Sequence, residues 1–272
     1  MNKFDLQVIK KKYILGRKKI LKRDSNKNKI EYEKKFLDTK KLFIDKNFSN
    51  KQILGYLKNY NKNAYFIKKN NFFKLNNSNY FKKNIEEIKE ILSKYCSKQT
   101  NLVELGSGFG RIIFSLIFLN FKLFKIIYAC DFNPIGLKII NKISKKINYQ
   151  IKTLRLNLLK SKNFKNLKPN SVIFTFNTLH CVPNLKINFF NELIKKKPKA
   201  VIHFEPTYID KPKNMLEKLS KKYFNNCDYN KTFLVYLQIL KKKNKIELEI
   251  FNKKYLSNVL LNERIIIWKP KY

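Results

Sequence analysis

The stretch that decides the fold is Val103-Glu104-Leu105-Gly106-Ser107-Gly108-Phe109-Gly110-Arg111. It follows a short apolar run and opens a helix-like apolar segment, so it predicts a strand, a loop and a helix in succession. Glycines permit positive φ angles and let the backbone approach a ligand closely. The start of the following helix offers N–H groups to a carboxylate or phosphate. The stretch therefore predicts a ligand-binding loop.

The spacing of the glycines distinguishes three classes of such loops. The phosphate-binding loop of NTPases ends in Gly-Lys-Ser/Thr, which this stretch lacks. Dinucleotide-binding loops carry G-x-G-x-x-G, whereas this loop reads G-x-G-x-G. With an acidic residue two positions upstream, the loop resembles the first motif of class I S-adenosylmethionine-dependent methyltransferases. The resemblance implies that S-adenosyl-L-methionine is the cofactor and that its site includes Glu104, Gly106, Ser107, Gly108 and Gly110.

Strand and helix patterns alternate from this loop to the C-terminus. Five apolar runs, ending near residues 105, 130, 156, 176 and 204, are separated by loops or helix-like segments, as in a parallel sheet with crossover helices. Two further runs, 245–251 and 263–270, indicate a terminal antiparallel pair. We predict an α/β protein with a Rossmann-like methyltransferase fold, in which a mostly parallel seven-stranded sheet has an antiparallel C-terminal strand.

The residues before this domain have a different composition. Residues 1–78 are rich in lysine and asparagine, and Ile9, Tyr13 and Ile14 give a broken helical spacing. Asparagines between residues 70 and 79 indicate a boundary rich in turns. Residues 80–96 then form a well-patterned amphipathic helix. We therefore predict a helical N-terminal extension over 1–78 and the methyltransferase domain over 79–272.

Polar residues follow the second, third and fourth predicted strands. Asp131 ends the second apolar run, where a carboxylate can accept the protons of both ribose hydroxyls, as in dinucleotide folds. Its alternative role is to cap the next helix. Phe132 can pack on the adenine ring. The resemblance places Asn157, where the family often has an acid, near the adenine amino group, and Asn177 beside the methionine end of the cofactor.

Candidate catalytic residues follow the fourth and fifth strands. His180 lies where open α/β sheets bind ligands, which indicates a general base, although it could instead pack within its loop. Glu205 is a second acid, base or acceptor-binding candidate, with a loop or capping role as its alternative. We expect His203 to lie in the core and Cys181 to be a small buried hydrophobe.

The composition bears on the acceptor. Lys and Arg number 60 against 19 Asp and Glu, a net charge of +41 that by itself favours a nucleic-acid partner. However, only five of these basic residues are arginine, the side chain that usually binds phosphate. Lys, Asn, Ile, Phe and Tyr are all abundant, as a bias towards A/T-rich codons would produce, so the charge can be explained without a ligand. The fourth strand is followed by no Asp/Asn-Pro-Pro-Tyr/Phe motif, which amino-directed nucleic-acid methyltransferases carry.

Three short segments, at 201–206, 228–240 and 265–270, resemble bacterial methyltransferases that modify surface sugars or small metabolites. We therefore expect O- or N-methylation of a small-molecule or saccharide (glycan-type) acceptor. An RNA methyltransferase that uses the lysine-rich surface and a non-catalytic S-adenosylmethionine-binding protein are the alternatives.

The remaining sequence features argue against several classes of protein. The four cysteines are far apart and form no C-x-x-C pair, so we expect reduced thiols, no disulfide framework and no metal site. No apolar run reaches the ~18 residues of a membrane span. The N-terminus lacks the apolar stretch of a secretory signal. The expected location is cytoplasmic.

Overall fold

The computed structural model describes residues 64–68, 71–75, 77–253, 257–258 and 260–272, and isolated positions before residue 64. The strands are β1 (Ala64–Lys68), β2 (Asn71–Leu75), β3 (Asn101–Leu105), β4 (Ile126–Asp131), β5 (Ile151–Arg155), β6 (Ser171–Phe176), β7 (Ala200–Pro206), β8 (Ile246–Asn252), β9 (Ser257–Asn258) and β10 (Glu263–Pro270). The helices are α1 (Asn77–Ser93), α2 (Arg111–Phe118), α3 (Pro134–Lys146), α4 (Ile187–Lys195), α5 (Met215–Asn226) and α6 (Phe233–Lys242), and short 3₁₀ helices lie at Ser161–Asn166 and Leu179–Cys181.

Seven of the strands form one sheet in the order β5-β4-β3-β6-β7-β10-β8. The first five are parallel, and β10 is antiparallel to both of its neighbours. Along the chain, β4 and β5 extend the sheet to one side of β3. The chain then returns, and β6 and β7 extend the sheet to the other side of β3. Ligands of open α/β sheets bind at the carboxyl ends of the strands beside such a reversal. The predicted fold class is confirmed.

Apolar side chains on both faces of this sheet form the core. On β3, Leu102 packs on one face and Val103 on the other, and on β10 Ile267 and Trp268 divide in the same way. Helices α1, α2 and α3 cover the first face, and α4 and α6 cover the second. Because both faces are covered, these strands appear in the sequence as nearly continuous apolar runs.

His203 lies in the core, as expected, and its ring joins three neighbouring strands. Its Nδ1 lies 3.0 Å from Thr175 Oγ1 on β6, and its Nε2 accepts a hydrogen bond of 2.9 Å from Trp268 Nε1 on β10. Burial lowers the pKa of His203 to about 4, so the ring is neutral at physiological pH. Since the indole can only donate, the neutral ring carries its proton on Nδ1 and donates it to the threonine hydroxyl.

The N-terminal segment differs in part from the prediction. Strands β1 and β2 form an antiparallel hairpin inside the predicted helical extension, and β1 also pairs with β9. Each strand has two aromatic residues, and β1 also has the β-branched Ile67, which favours a hairpin over a helix. The isolated positions from Gln7 to Phe43 that the structure describes are helical. Ile9, Tyr13 and Ile14 lie outside the described residues.

The described part of the extension packs on the domain. Phe43, Phe48 and Ile53 are buried in the same apolar cluster as helices α1 to α3. Helix α1 begins at Asn77, so the predicted boundary between 78 and 79 falls in its first turn. Among the described helices, none combines the length and apolar character needed to span a membrane.

The hydrogen bond between Trp268 and His203 leads to a stability prediction. Trp268→Phe leaves the buried His203 Nε2 without its donor, which we expect to cost about 1–3 kcal/mol of the free energy of unfolding. The change should cost less in a His203→Leu background, where the acceptor is absent. Urea unfolding followed by circular dichroism measures both, because the sole tryptophan is the residue removed. Equal costs in the two backgrounds would contradict the prediction.

Candidate active site

A cavity opens at the carboxyl ends of β3, β4, β5 and β6, beside the reversal in strand order. The space that it encloses, together with the open solvent at its mouth, amounts to about 820 Å³. Apolar side chains from the loops after β5 and β6 form much of its wall. Six of the nine predicted cofactor-binding residues line it, namely Gly106, Gly108, Asp131, Phe132, Asn157 and Asn177.

The glycine loop is fixed to the end of the neighbouring strand β4. The backbone N–H groups of Gly106 and Ser107 both donate to the carbonyl of Cys130, at 2.7 and 3.0 Å. Gly106 has φ +74°, and a Cβ atom there would lie 2.2 Å from Thr178 Cγ2. This position therefore requires glycine both for its backbone conformation and for the close approach of the loop after β6.

Asp131 connects the glycine loop to the start of α3. Its Oδ2 accepts a hydrogen bond of 2.8 Å from Gly108 N, and its Oδ1 accepts one of 2.8 Å from Asn133 N. The cap of α3 is the side chain of Asn133, which accepts from Ile135 N, so capping is not the role of Asp131. Burial raises the pKa of Asp131 to about 6. A carboxylate has about four acceptor positions, so some remain for a ligand in the cavity.

Three predicted cofactor residues, Glu104, Ser107 and Gly110, are not among the described residues that line the cavity. Glu104 is buried and accepts a hydrogen bond from the backbone of Ile113 in α2. Burial and the nearby charge of Asp131 raise the pKa of Glu104 well above its usual value. Ser107 is also buried, and Gly110 caps α2 with φ +82°. Glu104 therefore connects β3 to the start of α2.

The loop after β6 is held by a carboxylate from β7. Asn177 has φ +49°, and its N–H donates to the carbonyl of Phe204 at 3.0 Å. Thr178 N donates to Glu205 Oε1 at 2.7 Å. Glu205 is 0% exposed, and it is not among the described residues that line the cavity. Its backbone contacts therefore give it the loop-organising role that the sequence left as an alternative.

His180 is the other partner of Glu205. His180 Nδ1 lies 3.0 Å from Glu205 Oε2, and Nε2 lies 3.2 Å from Cys181 Sγ. Burial disfavours the charged ring, but interactions with Cys181 and Glu205 outweigh this and raise the pKa of His180 to about 10. For Glu205, burial is outweighed by His180 and by backbone N–H groups, which lower its pKa. The two side chains are therefore an ion pair at neutral pH.

Direct roles for His180 and Glu205 in proton transfer stay predictions. A ring that is already protonated, 5% exposed and engaged at both nitrogens is poorly suited to accept a proton at neutral pH. Cys181, which we expected to be a buried hydrophobe, is instead partly exposed and lines the cavity. The sequence signal for this exposure is the position of Cys181 directly after His180, in the loop that follows β6.

Comparisons with known proteins agree with this geometry. No protein-family profile matches the sequence, and no curated protein does. An O-methyltransferase family protein from Burkholderia thailandensis has a TM-score of 0.50 and 11% identity, over 72% of this chain and 60% of that one. The small RNA methyltransferase HEN1 gives 0.51 and 17%, over 70% and 25%. The CurJ carbon methyltransferase gives 0.50 and 11%, over 69% and 54%.

This chain has the class I methyltransferase fold. It spans 60%, 25% and 54% of the lengths of those three proteins, and the likeness is one of fold. The class I methyltransferase fold accounts for the order of the strands and for the position of the glycine loop at the start of α2. The contacts among Cys181, His180 and Glu205 are observed in this chain itself.

The close contact at Gly106 leads to a second stability prediction. Gly106→Ala places a Cβ at positive φ and against Thr178, so we expect a loss of about 1–3 kcal/mol in the free energy of unfolding. Thr178→Gly removes the three contacting atoms. In that background the same change should cost less, because only the backbone strain remains. Denaturant unfolding of the four proteins measures this, and an unchanged cost would mean that the contact is unimportant.

Proposed function

We propose that this protein transfers a methyl group from S-adenosylmethionine to a small-molecule or glycan-type acceptor. The observation that carries the proposal is the Asp131 carboxylate, which is held at the cavity wall by a hydrogen bond from the glycine loop. A carboxylate at the end of this strand suits the two hydroxyls of a ribose. The cavity also lies at the carboxyl ends of parallel strands, where open α/β sheets bind their ligands.

The other residues of the cavity fit the remaining parts of this cofactor. Phe132 offers an aromatic face for adenine. Asn157 Oδ1 accepts from Leu159 N at 2.9 Å, which fixes the amide and leaves its NH₂ group and a second acceptor position for the adenine edge. Asn177 lies on the wall formed by the loop after β6 and is assigned to the methionine end.

S-adenosylmethionine supplies a methyl group that its sulfonium already activates. The chain therefore has to bind and orient the two reactants and to keep water out. The apolar residues after β5 and β6 can exclude water from the cavity. Glu205 and His180 hold the backbone of the β6 loop and so set the shape of the wall that faces the acceptor.

The charge of the cavity supports a small acceptor over RNA. The residues that line it in the described part of the chain include one carboxylate, Asp131, and no lysine or arginine. A polyanion would be bound by basic side chains near the reacting atoms. The RNA alternative has in its favour the net charge of +41 and the fold shared with HEN1, whose name identifies it as a small RNA methyltransferase.

Asp131 gives the most direct test of the cofactor. We expect Asp131→Asn to weaken the binding of S-adenosylhomocysteine by about 1–3 kcal/mol, because charge-assisted hydrogen bonds to the ribose are lost. Isothermal titration calorimetry at pH 8 measures the loss. The exposed Asp210, substituted in the same way, is the matched control and should bind like the wild type. Unchanged affinity in Asp131→Asn would remove the assignment.

The same residue predicts how affinity depends on pH. The pKa of Asp131 in the folded protein is about 6, so its charged form is lost as the pH falls through that value. Affinity for S-adenosylhomocysteine should therefore be constant above pH 7 and fall by up to about ten-fold per pH unit below pH 6. Asp131→Asn should remove this fall. A wild-type affinity that stays constant down to pH 5 would contradict the prediction.

A salt series distinguishes the two acceptor classes. If the charge reflects composition alone, RNA binding should be weak, independent of sequence and steeply reduced by salt. Filter binding of several RNAs between low salt and ~0.15 M measures this. Tight and selective binding of one RNA at the higher salt would favour the RNA methyltransferase.

A further inference from the structure

Three side chains form a continuous chain of contacts beside the cavity. Cys181 Sγ lies 3.2 Å from His180 Nε2, and His180 Nδ1 lies 3.0 Å from Glu205 Oε2. Thr178 N fixes the other oxygen of Glu205 at 2.7 Å. The sequence of groups is therefore a thiol, an imidazole and an anchored carboxylate. A nucleophile, a base and an orienting acid in this order make an activated nucleophile.

The burial of the three residues differs in a way that suits such a site. Glu205 and His180 are 0% and 5% exposed, so their interaction is little screened by water. The ring of Tyr229 packs edge-on against the imidazole, with centroids 4.7 Å apart, and limits its rotation. Of the three, Cys181 alone lines the cavity. Cys181 is thus the residue of the three that a molecule in the cavity meets.

The protonation of the ring favours the thiolate form of Cys181. Burial disfavours the imidazolium, but Cys181 and then Glu205 stabilise it, and the pKa of His180 is raised to about 10. A cation in contact with a thiol lowers the pKa of that thiol. The other titratable group among the described residues that line the cavity is Asp131, whose negative charge opposes the thiolate. Tyr229 packs against the ring of His180. The group in contact with Cys181 Sγ that can stabilise a negative sulfur is the imidazolium of His180.

The other three cysteines lie in surroundings that disfavour a reactive thiolate. Cys96, Cys130 and Cys227 are all buried. Burial raises the pKa of Cys96 to about 12. Burial and the charges of Asp131 and Glu104 raise the pKa of Cys130 as well. They provide an internal reference for the reactivity of Cys181.

We propose that Cys181, His180 and Glu205 form an activated-thiol site in the cavity wall, at which small carbon electrophiles alkylate Cys181. In this step the thiolate electron pair attacks the electrophilic carbon, a sulfur–carbon bond forms, and the leaving group departs with its own electron pair. No proton moves, since His180 already carries one. The resulting thioether is part of the cavity wall, so alkylation of Cys181 blocks the cavity covalently. The proposal does not depend on methyl transfer.

Alkylation of the full chain by iodoacetamide, with iodide as the leaving group, tests the site. Rates at each cysteine are measured by peptide mass spectrometry between pH 5 and 9. We expect Cys181 to react at least about ten-fold faster than the buried cysteines at pH 6, with a rate midpoint below pH 7 rather than near the ~8.5 of an ordinary thiol. A wild-type midpoint at ~8.5 or above would overturn the proposal.

Two variants test the role of the neighbours. His180→Gln removes the cation, so the midpoint for Cys181 should rise towards ~8.5 and the rate at pH 6 should fall by about ten-fold or more. Glu205→Gln should give a smaller shift in the same direction. A midpoint that His180→Gln leaves unchanged would overturn the proposal. Labelling of the buried cysteines reports any unfolding of a variant, in which case the wild-type curve alone decides.

Discussion

The two hydrogen bonds that Asp131 accepts hold the cavity side of the sheet together. One comes from the N–H of Gly108 in the glycine loop and the other from Asn133 at the start of α3. Without them, peptide groups of two adjacent turns would lack partners at the edge of the core, which is costly. The carboxylate therefore sets the distance between the loops after β3 and β4. Its burial is also what raises its pKa and makes its charge sensitive to mild acid.

A second buried carboxylate holds the backbone on the other side of the reversal in strand order. Glu205 on β7 accepts from the backbone after β6 and pairs with His180. An unpaired charge at this depth would be strongly destabilising, so the pair is retained as a unit. The walls of the cavity are thus positioned by two acids from two strands. The glycine at 106 lets these walls approach each other, because its contact with Thr178 leaves no room for a side chain.

Much of this architecture could be predicted because its signals are local. Strands that are buried on both faces appear as apolar runs, and the G-x-G-x-G spacing marks the loop that follows β3. The direction in which an acidic side chain points is not a local signal, because it depends on how distant parts of the chain pack. Glu104 is the last residue but one of β3 and Asp131 is the last of β4, yet Glu104 contacts α2 and Asp131 lines the cavity. The exposure of Cys181 depends likewise on the 3₁₀ turn after β6. The abundance of lysine and asparagine around β1 and β2 obscures the aromatic pattern that is typical of a hairpin.

The pairing of β1 with β9 has a consequence for how the protein is made. Phe66 pairs with Asn258, and Ile67 with Ser257, so a strand from the N-terminal segment closes against one that precedes the last strand. Nearby, Lys253 forms a buried ion pair with Glu263 and contacts Asn84 of α1. During synthesis the hairpin leaves the ribosome before its partner strand, because strands β3 to β8 lie between them in the sequence. This part of the molecule therefore stays exposed and incomplete until β9 has been made.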